Sequence, residues 1–83
     1  MVDESEVRTW VEGLLQQRSP EGTRPQGDTD LFEGGYLDSL GMIVLLSEIS
    51  TRYGISLSPD ELNEESFRNV EAVVAFVKRE SAR

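Results

Sequence analysis

The chain has 83 residues, of which 16 are acidic and 8 are basic, so its formal net charge at pH 7 is −8. This length is enough for one small domain and too short for two, and we expect a single domain over residues 1–83. The acidic surface argues against nucleic acid and anionic membranes as partners. A protein partner with a basic face complements the charge, although acidity that only maintains solubility explains it equally well.

The sequence contains no cysteine and no histidine. Disulfides and cysteine-based zinc sites are therefore not expected, and a Ser-His-Asp triad is impossible within the chain. The N-terminal segment is acidic and does not resemble a signal peptide, and the longest apolar run is too short to span a bilayer. We therefore expect a cytoplasmic protein without a metal site.

Apolar residues at helical spacing predict a first helix over about residues 4 to 18. Asp3 and Glu6 resemble a capping box at its start. Trp10 is expected in the core. The apolar stripe consists of Val7, Trp10, Val11, Leu14 and Leu15.

The next segment, from Ser19 to Asp38, holds two of the three prolines and four of the seven glycines. This composition predicts a long loop, and a loop of this length is usually functional. Its apolar side chains are expected to anchor it to the helices. They are Leu31, Phe32, Tyr36 and Leu37.

A second helix is predicted over about residues 39 to 53, with Gly54 as its C-terminal glycine. It carries two apolar stripes, of which a surface helix needs only one. The second stripe is either an exposed contact surface or is buried by the long loop. The core stripe is Met42, Leu45, Leu46, Ile49 and Tyr53; the adjoining stripe is Leu40, Ile43, Val44 and Ser47.

Two more helices are predicted near the C-terminus. Ser58 and Glu61 form a capping box for a short helix, and Asn69 caps a last helix over about residues 70 to 80. The acidic run of the short helix (Asp60, Glu61, Glu64 and Glu65) is expected to be a solvated face. The last helix has one apolar stripe, formed by Val70, Val73, Val74 and Val77. The fold class is therefore all-α, with three longer helices, one short helix and one long loop.

Ser39 lies where the loop passes into the second helix. A calcium-binding loop starting at Asp28 fails at its glycine and glutamate positions, and a nucleophile elbow would need glycine at Leu37. A helix N-terminus favours an anion such as a phosphate ester, and Gly41 would leave room beside Ser39 for a bulky group. An ordinary N-cap serine is the simpler interpretation of the local pattern.

The triplet Asp38-Ser39-Leu40 at the head of this helix resembles the attachment motif of phosphopantetheine-binding carrier proteins. The resemblance covers nearly the whole chain and implies a four-helix bundle of the acyl-carrier type. It also implies that a transferase joins 4′-phosphopantetheine from coenzyme A to the Ser39 hydroxyl, with Asp38 and Leu40 beside it. The arm would then supply the thiol that the sequence lacks, and the chain would catalyse nothing itself.

The stretch LFEGGYLDSLG is similar to discrete aminoacyl carriers, including D-alanyl carrier proteins, and Gly34-Gly35 resembles peptidyl carrier domains. The resemblance implies a free-standing, monomeric carrier of aminoacyl, peptidyl or acyl thioesters, in natural product biosynthesis of the nonribosomal-peptide type. Implied partners are a phosphopantetheinyl transferase, an adenylating, AMP-forming ligase and a downstream condensing or tailoring enzyme. The expected interface is Leu40, Ile43, Val44 and Ser47. The alternative is an unmodified helical interaction module in which Ser39 only caps a helix.

Overall fold

A computed structural model describes residues 3–19, 21–55 and 63–81 of the chain. Within these ranges it contains three α-helices, one 3-10 helix and no β-strand. The α-helices are α1 (Glu4–Arg18), α2 (Ser39–Tyr53) and α3 (Val70–Ser81), and the 3-10 helix is Glu64–Phe67. The all-helical class is confirmed, whereas the count of four bundle helices stays a prediction.

Helix α1 begins where a side chain can replace the missing backbone acceptors of its first turn. Asp3 Oδ1 accepts hydrogen bonds from the backbone N–H groups of Ser5, at 2.8 Å, and Glu6, at 3.4 Å. These donors have no partner within the helix, so the carboxylate both satisfies them and complements the helix dipole. The predicted bounds of this helix are confirmed.

Trp10 was expected in the core but lies at its edge, where it is half-buried. Its ring meets that of Tyr53 edge-on, with centroids 5.5 Å apart, and the Arg52 guanidinium lies over it at 5.0 Å. The indole therefore covers the border between α1 and the end of α2. A large aromatic side chain with a polar N–H suits such a border better than a closed interior.

Helix α2 ends at a glycine that adopts the left-handed conformation. Gly54 has φ +67° and donates its N–H to the carbonyl of Ser50 at 2.9 Å. A residue with a side chain is strained at this φ, which explains why glycine closes the helix here.

Asparagines cap the two C-terminal elements. Asn63 Oδ1 accepts from the backbone N–H of Ser66 at 3.0 Å, and Asn69 Oδ1 accepts from that of Ala72 at 2.8 Å. The predicted cap of the last helix is thus confirmed, and α3 extends one residue beyond the predicted end. The capping box Ser58–Glu61 lies outside the described residues; Glu64 and Glu65 are exposed, as expected.

The core lies where α1 packs against α3, and α2 and the 3-10 helix complete it. All four valines of the predicted α3 stripe are buried. Phe67, from the 3-10 helix, packs against Phe76 of α3 with ring centroids 5.3 Å apart. Along the described ranges, no helix is both long enough and apolar enough to cross a bilayer.

The long loop is tied to the C-terminal elements by backbone hydrogen bonds. Leu31 N–H donates to the carbonyl of Arg68 at 2.7 Å, and Glu71 N–H donates to the carbonyl of Gly27 at 3.2 Å. The Glu71 side chain also pairs with Arg8 of α1, and this pair raises the pKa of the Arg8 guanidinium above its ordinary value. The loop therefore holds a defined path toward the start of α2.

Candidate functional site

The chain enters α2 through a tight turn over residues 30–37. The carbonyl of Leu31 accepts hydrogen bonds from the backbone N–H groups of both Tyr36 and Leu37, at 2.9 Å each. Leu31 and Leu37 are buried, and Phe32 and Tyr36 pack partly buried against the core. The four predicted anchors therefore contact the helices, and they set where α2 begins.

Two glycines allow this turn to close. A Cβ at Gly34 would lie 2.9 Å from the backbone oxygen of Asp30, closer than such atoms approach, and Gly35 has φ +83°. Gly34 requires the absence of a side chain, and Gly35 requires a left-handed backbone. Turn geometry thus accounts for the glycine pair that precedes the motif.

The N-cap of α2 is Asp38, not Ser39. Asp38 Oδ1 accepts from the backbone N–H of Gly41 at 2.6 Å, and Asp38 itself has extended backbone angles. The interpretation of Ser39 as an ordinary N-cap is therefore wrong. An aspartate caps at least as well as a serine and adds a negative charge at the positive end of the helix dipole.

Ser39 is the first helical residue of α2, and it is exposed. Among the described residues, none forms a hydrogen bond with its hydroxyl. The chain has no histidine to activate this hydroxyl. The Ser39 hydroxyl is thus accessible, without the histidine base that commonly activates the nucleophilic serine of a hydrolase.

The space beside Gly41 is filled from within the chain. A Cβ at Gly41 would lie 2.6 Å from Arg18 Nη2 and 3.0 Å from Asp38 Oδ1. The expected room for a bulky group is therefore taken by the guanidinium at the end of α1. Gly41 is buried, so its role is close packing of α1 against the first turn of α2.

The adjoining apolar stripe of α2 lies in solvent. Leu40, Ile43 and Val44, which we call the apolar patch, are exposed by 69%, 51% and 43%, and Ser47 on the same face is also exposed. The long loop does not bury this stripe. An apolar surface of three neighbouring side chains next to an exposed serine is typical of a contact surface.

A groove with a volume of about 690 Å³ adjoins the start of α2. Its walls come from the end of α1 and from the loop. It is lined by Gln17, Arg18, Phe32, Gly35, Tyr36, Leu37 and Asp38. Neither Gln17 nor Arg18 was predicted as a site residue. A cation such as Arg18 in a last helical turn is already explained by the helix dipole, and nothing in the local pattern singles out Gln17.

The sequence profile of the family described as "Phosphopantetheine attachment site" matches residues 7–77 of this chain. The chain belongs to the phosphopantetheine-binding carrier proteins. Its cofactor is therefore 4′-phosphopantetheine, held covalently.

Similar carrier proteins include the D-alanyl carrier protein of Streptococcus suis (strain 05ZYH33), 25% identical over 72 residues that cover 87% of this chain and 91% of that protein. D-alanyl carrier protein 2 of Lactiplantibacillus plantarum is 31% identical over 72 residues, which cover 87% of this chain and 90% of that protein. The D-alanyl carrier protein of Lactococcus lactis subsp. cremoris (strain MG1363) is 37% identical over 54 residues, which cover 65% of this chain and 68% of that protein. The chain is thus D-alanyl-carrier-like within its family.

The head of α2 fits a covalently held arm. An exposed hydroxyl that takes no part in the helix cap can be esterified without loss of a structural hydrogen bond, since Asp38 supplies the cap. A groove of about 690 Å³ beside Asp38 has the size of many ligand sites in proteins.

Proposed function

We propose that this carrier protein holds 4′-phosphopantetheine on Ser39 and transfers an activated aminoacyl group between enzymes. The observation that carries the proposal is an exposed serine at the first position of α2 whose neighbour Asp38 forms the cap. Ser39 also lies within the segment matched by the family profile, residues 7–77. We assign Asp38 and Leu40, which flank it, to the same site.

Attachment of the arm is a group transfer from coenzyme A. Ser39 Oγ forms a bond to the phosphorus that carries the pantetheine. The bond from that phosphorus to the adenosine bisphosphate part of coenzyme A breaks, and the bisphosphate leaves. The hydroxyl proton passes to a base that the transferase supplies.

The arm supplies a thiol on which cargo is held as a thioester, formed when an adenylating ligase transfers an acyl group from its adenylate and AMP leaves. The relatives named above are D-alanyl carriers, and this supports a small aminoacyl cargo. The Gly34-Gly35 pair closes the turn before the motif, and the peptidyl-carrier type that its resemblance implies stays a prediction. A role in nonribosomal-peptide-type biosynthesis stays a prediction.

The partners would dock on the apolar patch and Ser47, beside the modified serine. Burying one exposed leucine or isoleucine stabilises a complex by about 1.5 to 3 kcal/mol before the cost of association. We propose that the transferase, the ligase and a condensing or tailoring enzyme use this surface in turn, and that the carrier itself catalyses nothing. A monomeric state and a cytoplasmic location stay predictions.

The test is the intact mass of the purified protein after incubation with coenzyme A, magnesium and a broad-specificity phosphopantetheinyl transferase. The parent should gain one phosphopantetheinyl group, and Ser39→Ala should gain none. Ser5→Ala is the matched control, because it removes an exposed serine from the first turn of α1, outside the docking surface, and it should be modified like the parent.

A gain of mass by Ser39→Ala would assign the attachment to another residue. A folded parent that gains no mass with several transferases would contradict the carrier function. The unmodified interaction module would then be the better account of the apolar patch.

A further inference from the structure

The groove beside Asp38 begins one residue before Ser39 along the chain. Asp38 lines the groove and directly precedes Ser39, so their Cα atoms are about 3.8 Å apart. The groove lies between the end of α1 and the loop, and no residue of the apolar patch lines it, although Val44 adjoins Gln17 and Arg18 in a neighbouring hollow. An arm in the groove would leave that patch free for a partner.

Arg18 provides the groove with a cation. Within the described ranges, Arg18 forms no ion pair with a carboxylate, and its guanidinium lies against Gly41. The other described cations have partners. Arg8, Arg24, Arg68, Lys78 and Arg79 pair with carboxylates, and Arg52 lies over Trp10 and Tyr53.

The remaining lining residues offer groups that match a phosphopantetheine arm. A guanidinium binds a phosphodiester through charge-assisted hydrogen bonds. The Gln17 side-chain amide can both donate to and accept from the amides of the arm. Phe32 and Tyr36 are half-buried rings against which its methyl groups can pack, and the Tyr36 hydroxyl is fixed by Thr23 at 3.1 Å.

We propose that this groove is a resting site for the phosphopantetheine arm, in which Arg18 binds the phosphodiester and Gln17 and Tyr36 contact the pantetheine. This inference rests on the proposed function, because it needs the arm on Ser39. It assigns Arg18 as a positioning residue that holds the arm against its own protein between docking events.

The first test compares amide spectra of the ¹⁵N-labelled protein before and after modification. Signals of Gln17, Gly35 and Tyr36 should shift more than those of α3. The chain has no cysteine, so a thiol-reactive spin label attaches only to the arm, and it should broaden the same groove signals.

Arg18→Ala should reduce these shifts about two- to fivefold, the size expected for one exposed ionic contact. Arg18→Lys keeps the charge without the forked geometry and should give an intermediate reduction. Lys78→Ala is the matched control: Lys78 pairs with Glu4, roughly 21 Å along α1 from Arg18, and its loss should change nothing in the groove.

Three outcomes are distinguishable. A mass gain with groove shifts that depend on Arg18 supports the resting site. A mass gain without groove shifts, or with shifts equal in the parent and Arg18→Ala, overturns this inference alone. Absence of any mass gain contradicts the proposed function, and with it the inference.

Discussion

At the residue scale, the structural role at the start of α2 belongs to Asp38 and the proposed chemical role belongs to Ser39. Asp38 caps α2 through its hydrogen bond to Gly41, while Ser39 keeps a hydroxyl that the fold does not use. If Ser39 were the cap, esterification would remove an acceptor from the helix start. Placing the cap one residue earlier allows modification at little cost in stability.

Asp38→Ala should therefore lower the free energy of unfolding by about 0.5 to 2 kcal/mol, whereas Ser39→Ala should change it by less than about 0.5 kcal/mol. Asp38→Asn is the control, since asparagine caps equally well. Urea denaturation followed by circular dichroism measures all three. An equal loss for Ser39→Ala and Asp38→Ala would contradict the assignment of the cap.

At the scale of single elements, α2 has two apolar faces in different environments. Met42, Leu45 and Ile49 are buried, whereas the apolar patch is exposed along the opposite side. Only Glu48 carries a charge between the motif and Thr51. Contact through this face would therefore depend on buried area more than on ion pairs.

Val44→Glu should lower the kcat/KM of modification by the transferase about tenfold, or about 1.4 kcal/mol, because it places a charge in the docking surface. The melting temperature should barely change, since Val44 is exposed and glutamate is a good helix former. Ala75→Glu adds the same charge at an exposed position of α3 and should leave kcat/KM unchanged. Equal losses for both variants would indicate general charge repulsion instead of local docking.

At the scale of the whole molecule, a domain of 83 residues has a small core and a free energy of unfolding of about 4 to 12 kcal/mol. The exposed ion pairs contribute little to it. Phe67 and Phe76 are among the largest fully or almost fully buried side chains, and they connect the 3-10 helix to α3. Stability therefore depends mainly on the buried apolar side chains of this core.

Phe67→Ala should lower the free energy of unfolding by about 3 to 5 kcal/mol, because it leaves a cavity at a site with no exposed surface. Phe67→Leu retains most of the side-chain volume, and its free energy of unfolding should fall clearly less than that of Phe67→Ala. Chemical denaturation of both variants gives the comparison. A loss below about 1 kcal/mol for Phe67→Ala would show that this position is not part of the core.

Local sequence signals predicted the three α-helices and the family motif well. Asp3, Gly54 and Asn69 act on backbone groups within one turn, so their effect depends on few residues and is readable from spacing alone. The choice between Asp38 and Ser39 as cap was missed, because adjacent residues of similar capping strength differ only in backbone angles.

The sequence by itself thus determined the helical class, the bounds of α1 and α2, the start of α3, and the family motif around Ser39. Tertiary structure alone decided which apolar stripe of α2 is exposed, and that Arg18 fills the space beside Gly41 and lines a groove next to Asp38. Helical periodicity depends on neighbours three or four residues apart. The exposure of a helix face and the walls of a groove depend on segments that are far apart in the chain. No local sequence pattern shows which of these segments pack together.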